Sequence, residues 1–167
     1  MDTAALQHPA VEIATSRVRD FDPGLTPVAA AVRPDAVAVV LDSDDKRFTV
    51  FVEYRDGEWV APDFISGTPR RLRQRESVTG HRPLYDMSRK WFGWSAGEDE
   101  SDQVGWCSVT GLAALDAVAV SVTSALESTT SPIGDSGLAF AVVRGRRGDK
   151  PVVEVHTRDG RTVTVRP

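Results

Sequence analysis

The chain has 167 residues and a formal net charge of −4 at pH 7. The length is enough for one domain with a sizeable core or for two small domains. The charge is too small to suggest wholesale binding to nucleic acid or anionic lipid. Its single cysteine excludes an internal disulfide, and its first residues lack the pattern of a secretory signal. No run approaches the roughly 20 apolar residues of a helix that spans a membrane. We therefore expect a cytoplasmic protein with no membrane role.

The first part of the chain, residues 1–67, is predicted to be a β-module. Residues 1–10 are expected to form an irregular arm, and residues 11–19, VEIATSRVR, alternate well enough to predict a first strand. Residues 26–32 are ambiguous. Apolar alternation then predicts three strands, at about 36–41, 47–54 and 58–62.

The middle of the chain, residues 68–103, differs from the rest because it is basic, then aromatic, then acidic. The segment is too long for a hairpin loop, so we expect a connecting loop between two modules. A short helix over residues 71–78 fits the sequence, and Gly80 and Pro83 prevent a longer one.

The last part, residues 104–167, is predicted to be a second β-module. Strands are expected at 104–110 and 117–123, followed by a polar loop over residues 124–137 and three final strands. Edge strands such as residues 161–166 would allow pairing between subunits or the addition of a partner's strand.

Two stretches, residues 36–64 and 139–167, look like copies of one unit, because they agree without a gap at ten positions and share an Arg-Asp-Gly turn. Asp-Gly between alternating runs is a strong hairpin signal, since glycine accepts the positive φ of a tight turn. The chain is therefore predicted to be all-β: an immunoglobulin-like β-sandwich, or a partly open barrel, built from two related β-meanders with little helix and packed as a single domain.

The connecting loop contains the residues that we predict for binding. Arginines can hold phosphate oxygens and neighbouring aromatic rings can stack on bases, but acidic residues 98–102 offer the arginines an intramolecular partner. Packing of the aromatic rings on the core is favoured over their exposure to a partner. The hypothesised binding residues are Arg70, Arg71, Arg73, Arg75, Arg82, Trp91, Phe92 and Trp94.

One short motif resembles the nucleophile motif of chymotrypsin-like serine proteases, in which the serine lies beside its oxyanion-hole amides: Gly134-Asp135-Ser136-Gly137. The resemblance covers four residues, and Leu138 follows where that family usually has a further glycine. His8 and His81 precede the serine but fit that family's placement poorly, and His156 follows it, in the wrong chain order. The motif is therefore expected to be a structural turn.

The spacing of histidines and acids predicts no metal site, and the absence of a Gly-rich phosphate loop predicts no nucleotide cofactor. We expect a non-catalytic binding or interaction module that contacts a protein partner, or a second copy of itself, through the 70–94 loop. Two alternatives remain: a serine hydrolase that uses Ser136, and a nucleic-acid binder that uses the strip from Arg70 to Arg75, which the acidic net charge disfavours.

Overall fold

The computed structural model describes residues 3–76, 82–96 and 99–166. It is mostly β, with 50% of residues in strands and 11% in helices, arranged as antiparallel sheets of which none closes into a barrel in the described part of the chain. The prediction of an all-β, sandwich-like fold is confirmed, and the immunoglobulin-like assignment stays a prediction. The chain divides into two compact units, here called unit 1 (residues 1–73) and unit 2 (residues 74–167).

Unit 1 is a helix packed on an antiparallel sheet. Its described elements are α1 (Thr3–Leu6), α2 (Pro9–Arg19), β1 (Thr26–Val32), β2 (Ala36–Asp42), β3 (Lys46–Arg55), β4 (Glu58–Val60) and β5 (Gly67–Pro69). The strand order is β1-β2-β3-β4, and β5 pairs with the start of β3. Apolar side chains of the sheet pack against α2 and include Val37, Val39, Leu41, Val50 and Val52.

Helix α2 corrects two predictions, because residues 11–19 are helical rather than a strand, and the expected N-terminal arm contains α1 and the start of α2. His8 caps the helix, its Nδ1 accepting a hydrogen bond from the Ala10 amide at 3.2 Å. The alternation that suggested a strand also fits a helix with one buried face. The buried side chains recur at helical spacing: Ala10, Val11, Ala14, Thr15 and Val18.

A buried ion cluster fixes the turn between β2 and β3. The Asp42 carboxylate, 9% exposed, accepts two hydrogen bonds of 2.7 Å from the Arg47 guanidinium. Arg70 Nε lies 3.4 Å from the same carboxylate. Bidentate arginine–carboxylate pairs are among the stronger polar contacts in proteins, and this one ties residue 70 to the strand pair.

Unit 2 is a sandwich of two antiparallel sheets. Its described strands are β6 (Leu84–Phe92), β7 (Val104–Ala113), β8 (Ala117–Thr123), β9 (Ser128–Pro132), β10 (Leu138–Arg146), β11 (Val152–Thr157) and β12 (Thr162–Thr164), with one 3-10 turn (Glu100–Asp102). The sheet orders are β10-β7-β6 and β12-β11-β8-β9. Side chains from both sheets form one core, which includes Cys107, Val109, Val120, Val122, Ala141, Val143, Val153 and Val155.

Strands β6 and β9 lie where loops were predicted, and β5 overlaps the start of the predicted connection at residues 68 and 69. Strand β6 falls inside the 68–103 connection, and a bulge between Tyr85 and Ser88, with Asp86 at φ 49°, interrupts the alternation that would have marked it. Strand β9 falls inside the predicted polar loop at residues 124–137, because an exposed edge strand of Ser and Thr carries no apolar alternation. The helix predicted over 71–78 is absent from residues 71–76, and residues 77 and 78 lie outside the described residues.

Both Asp-Gly hairpins predicted from the sequence are confirmed. Strands β3 and β4 pair across Asp56 and Gly57, whose φ angles are 51° and 90°, and β11 and β12 pair across a turn with Gly160 at φ 85°. The preceding strands differ, since β2 pairs with β3 whereas β10 lies in the other sheet from β11. The internal repeat therefore stays a prediction.

We predict that Asp42→Ala lowers the free energy of unfolding by about 3 kcal/mol, because two arginines lose the carboxylate that neutralises them in a buried site. Urea denaturation followed by far-UV circular dichroism measures the change. Asp44→Ala is the control, because Asp44 is exposed in the same turn. Equal stability of the two variants would contradict a structural role for the Asp42 cluster.

Candidate functional site

Arg75, one of the predicted binding residues, acts as an internal anchor. Its Nε donates to the Ala113 carbonyl at 2.9 Å, Nη2 to the Ala114 carbonyl at 2.9 Å and Nη1 to the Asp135 carbonyl at 3.0 Å. The guanidinium lies so close to Gly137, at φ +74°, that a β-carbon there would overlap it. Three of the five guanidinium N–H donors of Arg75 are therefore used within unit 2, and only part of this side chain is accessible to a partner.

Arg70 is a second anchor, within unit 1. Its Nη1 donates to the Ser43 carbonyl at 2.8 Å, and its backbone amide donates to the Asp45 carbonyl at 2.7 Å. Together with the approach of its Nε to Asp42, these bonds hold Arg70 against the β2–β3 turn.

The short stretch between these anchors is exposed. Arg71, Leu72 and Arg73 are all exposed and form neither helix nor strand, and Leu72 is 77% exposed. We call these three residues the RLR segment; by the division of the chain into units it ends unit 1. Arg82, another predicted binding residue, is exposed ahead of β6.

The predicted aromatic residues pack at the end of the unit 2 core. The rings of Trp91 and Trp94 stack with centroids 5.0 Å apart at 17°. They lie on a glycine pair of β7 and β10: a β-carbon on Gly145 would come within 2.7 Å of Trp91, and one on Gly105 within 2.7 Å of Trp94. The guanidinium of Arg147 lies 5.7 Å from the Trp94 ring. These contacts take up much of both rings within the fold.

The acidic end of the connection pairs elsewhere than the sequence suggested. Glu100 Oε1 lies 3.4 Å from Arg147 Nη2, and the Gln103 side chain accepts from Arg147 Nη1 at 2.7 Å. Arg70 and Arg75, at the two ends of the predicted arginine strip, are instead held by Asp42 and by backbone carbonyls. Phe92, the remaining predicted residue, is half-buried at the end of β6.

The Gly-Asp-Ser-Gly motif forms a turn. The Gly137 amide donates to the Gly134 carbonyl at 3.0 Å, and Ser136 Oγ accepts from the Leu138 amide at 3.3 Å. Neither histidine in the described part of the chain bonds to Ser136, because His8 caps α2 and His156 bonds to other side chains. His81 lies outside the described residues.

A hydrogen-bond chain that sequence reasoning missed crosses the outer face of the four-stranded sheet. His156 Nε2 lies 2.6 Å from Ser121 Oγ, His156 Nδ1 lies 3.1 Å from Thr162 Oγ1, and Ser121 Oγ lies 2.7 Å from Thr130 Oγ1. Alternation alone places these side chains on one face, but only the register of β9, β8, β11 and β12 makes them neighbours.

The Ser121–His156 contact has the separation of a nucleophile and its base, but its surroundings differ from those of a catalytic site. Ser121 lies mid-strand, between Glu154 on one side and Thr130 on the other, so the nearby backbone amides serve the sheet ladder. Acyl transfer needs amides directed at the developing oxyanion. These side-chain hydrogen bonds are best explained as cross-strand pairs that stabilise the sheet.

Other chemistry finds little support in the described part of the chain. No group of three or more His, Cys, Asp or Glu side chains there could hold a metal ion. The Cys107 thiol is buried, and burial raises its pKa to about 11 against the opposing effect of the Arg89 charge. Among residues 3–76, 82–96 and 99–166, no helix is long and apolar enough to cross a membrane.

Comparisons of the chain with protein-family models, with curated proteins and with solved structures find no match. Any function of the chain must therefore be inferred from its geometry alone. Several of the predicted binding residues make contacts that hold the fold together, among them Arg70, Arg75, Trp91 and Trp94. The exposed RLR segment is the part of the predicted surface that the geometry leaves most accessible.

We predict that Arg75→Lys lowers the free energy of unfolding by about 2 kcal/mol, because an ammonium group cannot reach three carbonyls as the planar guanidinium does. Urea denaturation measures the loss. Arg71→Lys is the matched control, at an exposed arginine four residues earlier in the chain, and is expected to leave the free energy of unfolding unchanged. A loss shared by both variants would show that the segment is generally sensitive to arginine replacement.

We also predict that Cys107 resists alkylation by iodoacetamide at about pH 8 while the protein is folded, because the thiol is buried and stays protonated. Mass spectrometry should find one added group only after denaturation in guanidinium chloride. Full alkylation of the folded protein would contradict the burial of this side chain.

Proposed function

We propose that this protein is a non-catalytic interaction module that contacts an acidic partner protein through the RLR segment. The observation that carries the proposal is the contrast within residues 70–75. Arg70 and Arg75 are held by bonds within the fold, whereas the side chains of Arg71 and Leu72, which lie between them, are exposed.

The chemistry of the segment suits a partner that offers carboxylates beside an apolar surface. Arginine binds carboxylates with two parallel hydrogen bonds. Leu72, 77% exposed, offers an apolar side chain flanked by these cations. Arg70 anchors the start of the segment within unit 1, so the segment has fewer conformations to give up on binding, which reduces the entropic cost of association.

A second exposed apolar side chain in unit 1 supports an interaction role. Phe64 is 82% exposed, and Arg17 holds the backbone just before it by donating to the carbonyls of Pro62 at 3.1 Å and Asp63 at 2.7 Å. A large ring held outward from a tethered backbone is typical of a contact residue.

The two alternative functions receive less support. A nucleic-acid binder would use the arginines for phosphates and the tryptophans for bases, but Trp91 and Trp94 stack on each other and on strand glycines. A hydrolase based on Ser136 would need a nearby base, and its hydroxyl instead accepts a bond within its own turn. For the compartment we propose the cytoplasm, on the support of the free thiol of Cys107.

We predict that Arg71→Glu with Arg73→Glu abolishes partner binding and leaves the melting temperature nearly unchanged, because both side chains are exposed. Proteins crosslinked to the tagged chain in host lysate are quantified by mass spectrometry for the parent and the variant. The amount of a true partner protein that is crosslinked is expected to be at least about tenfold lower for the variant than for the parent. Each Arg→Glu exchange replaces an attraction to an acidic surface with a repulsion.

The matched control is Arg158→Glu with Arg166→Glu, which makes the same change in net charge at two exposed arginines elsewhere. Equal loss in both double variants would show that bulk charge, and not the RLR segment, governs binding. Nuclease treatment distinguishes a protein partner from a nucleic acid. Capture that disappears after nuclease treatment, and weakens steeply as salt is raised, would favour the nucleic-acid hypothesis.

A further inference from the structure

The two Asp-Gly turns of the chain differ in how their reactive groups are held. An aspartate followed by glycine is especially open to attack on its side-chain carboxyl by the next backbone amide, because glycine has no side chain to hinder the approach. The chain contains two such pairs, Asp56-Gly57 and Asp159-Gly160, and no asparagine. Each pair lies in the turn of a hairpin, so the same chemistry is placed in two structural settings.

The carboxylate of Asp159 is held by hydrogen bonds within its own turn. Its Oδ1 accepts from Thr157 Oγ1 and from the Arg161 amide, and its Oδ2 accepts from Arg161 Nε at 2.7 Å. These bonds lower the pKa of the Asp159 carboxyl, and the bond from Thr157 has the largest effect. The Gly160 amide is also occupied, because it donates to the Thr157 carbonyl at 2.9 Å. Both groups that would have to react are therefore bonded elsewhere.

The turn at Asp56 and Gly57 lacks these restraints. Both residues are exposed, and neither makes a hydrogen bond or an ion pair with any residue that the structure describes. The neighbouring Arg55 pairs with Glu53. Strand β4, which follows the turn, has only three residues, and opening so short a hairpin costs less free energy than opening a core strand. The Asp56 carboxyl and the Gly57 amide can therefore approach each other without breaking bonds of their own.

The closed turn is not itself the reactive arrangement, because both residues have positive φ angles, 51° and 90°, that hold the hairpin together. The reaction proceeds from molecules in which the end of the hairpin has opened. Such opening is local, and the core strands of unit 1 stay paired.

We propose that Asp56 is a site of covalent modification, at which aspartate converts to isoaspartate through a cyclic imide. The Gly57 amide nitrogen forms a bond to Cγ of the protonated Asp56 carboxyl, and the carboxyl hydroxyl leaves as water together with the amide proton. Water then adds to the α-carbonyl of the five-membered imide and breaks the bond between that carbonyl and the Gly57 nitrogen. The main chain afterwards runs through Cβ and Cγ of residue 56, which has a new α-carboxylate. Water is the only co-reactant, lost in the first step and regained in the second.

The modification acts on unit 1 at a defined place. Isoaspartate adds one methylene to the backbone of the two-residue loop that sets the register of β3 with β4. Tyr54 and Trp59 form the second residue pair from that turn, with ring centroids 5.0 Å apart, and Trp59 packs against the core. Conversion of Asp56 is therefore expected to loosen β4 and to lower the melting temperature. The inference is independent of the RLR segment.

The test is prolonged incubation of the full chain at physiological temperature and neutral pH, followed by peptide mapping. Electron-transfer fragmentation in the mass spectrometer distinguishes isoaspartate from aspartate and locates it in the chain. Asp56→Glu removes the site and keeps its charge, since a glutamate would have to close a six-membered ring. Asp159→Glu is the matched control at the other turn. Circular dichroism melts identify any variant that has lost its fold.

We expect isoaspartate to accumulate at least about tenfold faster at Asp56 than at Asp159, because the bonds of Asp159 and Gly160 must break before that turn can react. The signal is expected to disappear in Asp56→Glu and to persist in Asp159→Glu. Synthetic peptides covering residues 53–60 and 156–163 give the rates of the same sequences without the fold. A folded chain in which Asp56 stays unmodified while the first peptide converts overturns the proposal. Conversion at Asp159 that is as fast as at Asp56 in the folded chain also overturns it.

Discussion

The hydrogen bonds of Arg75, a residue near the start of unit 2, link two of that unit's strand ends. One guanidinium joins the end of β7, at Ala113 and Ala114, to the turn that leads into β10. The pairing of β7 with β10 begins beside that turn, at Leu112 and Leu138, and runs the length of both strands. Both strands supply the core, so the sandwich depends on a residue whose charge alone would suggest a surface role.

The arginines of residues 70–75 show why a charge cluster is weak evidence for a ligand. Their side chains are chemically identical, yet Arg70 binds a buried carboxylate, Arg75 binds carbonyls, and Arg71 lies exposed. A guanidinium carries five donors in a planar fork, and a fold can use it to satisfy the backbone at places where secondary structure ends. The surface available to a partner is what remains after those internal bonds are made.

Much of the fold follows from the sequence where one signal dominates. Alternation and Asp-Gly turns locate β2, β3, β4 and the β11–β12 hairpin, because each has one apolar face and a turn that only a few residues favour. The strand predicted over residues 11–19 was wrong because the apolar positions fit both a strand and a helix. The N-cap that marks the start of the helix is His8, which is an uncommon capping residue. The contact of Ser121 with His156 depends on strand register, which single-strand periodicity does not contain.

The exposed apolar side chains proposed for contact both belong to unit 1. Leu72 lies between Arg71 and Arg73 in the RLR segment, and Phe64 follows a backbone stretch that Arg17 holds. A surface of three residues is too small for a stable interface alone. Exposed ion pairs are individually weak, so the arginines would contribute mainly to the choice of an acidic partner, and apolar contact must supply more of the affinity.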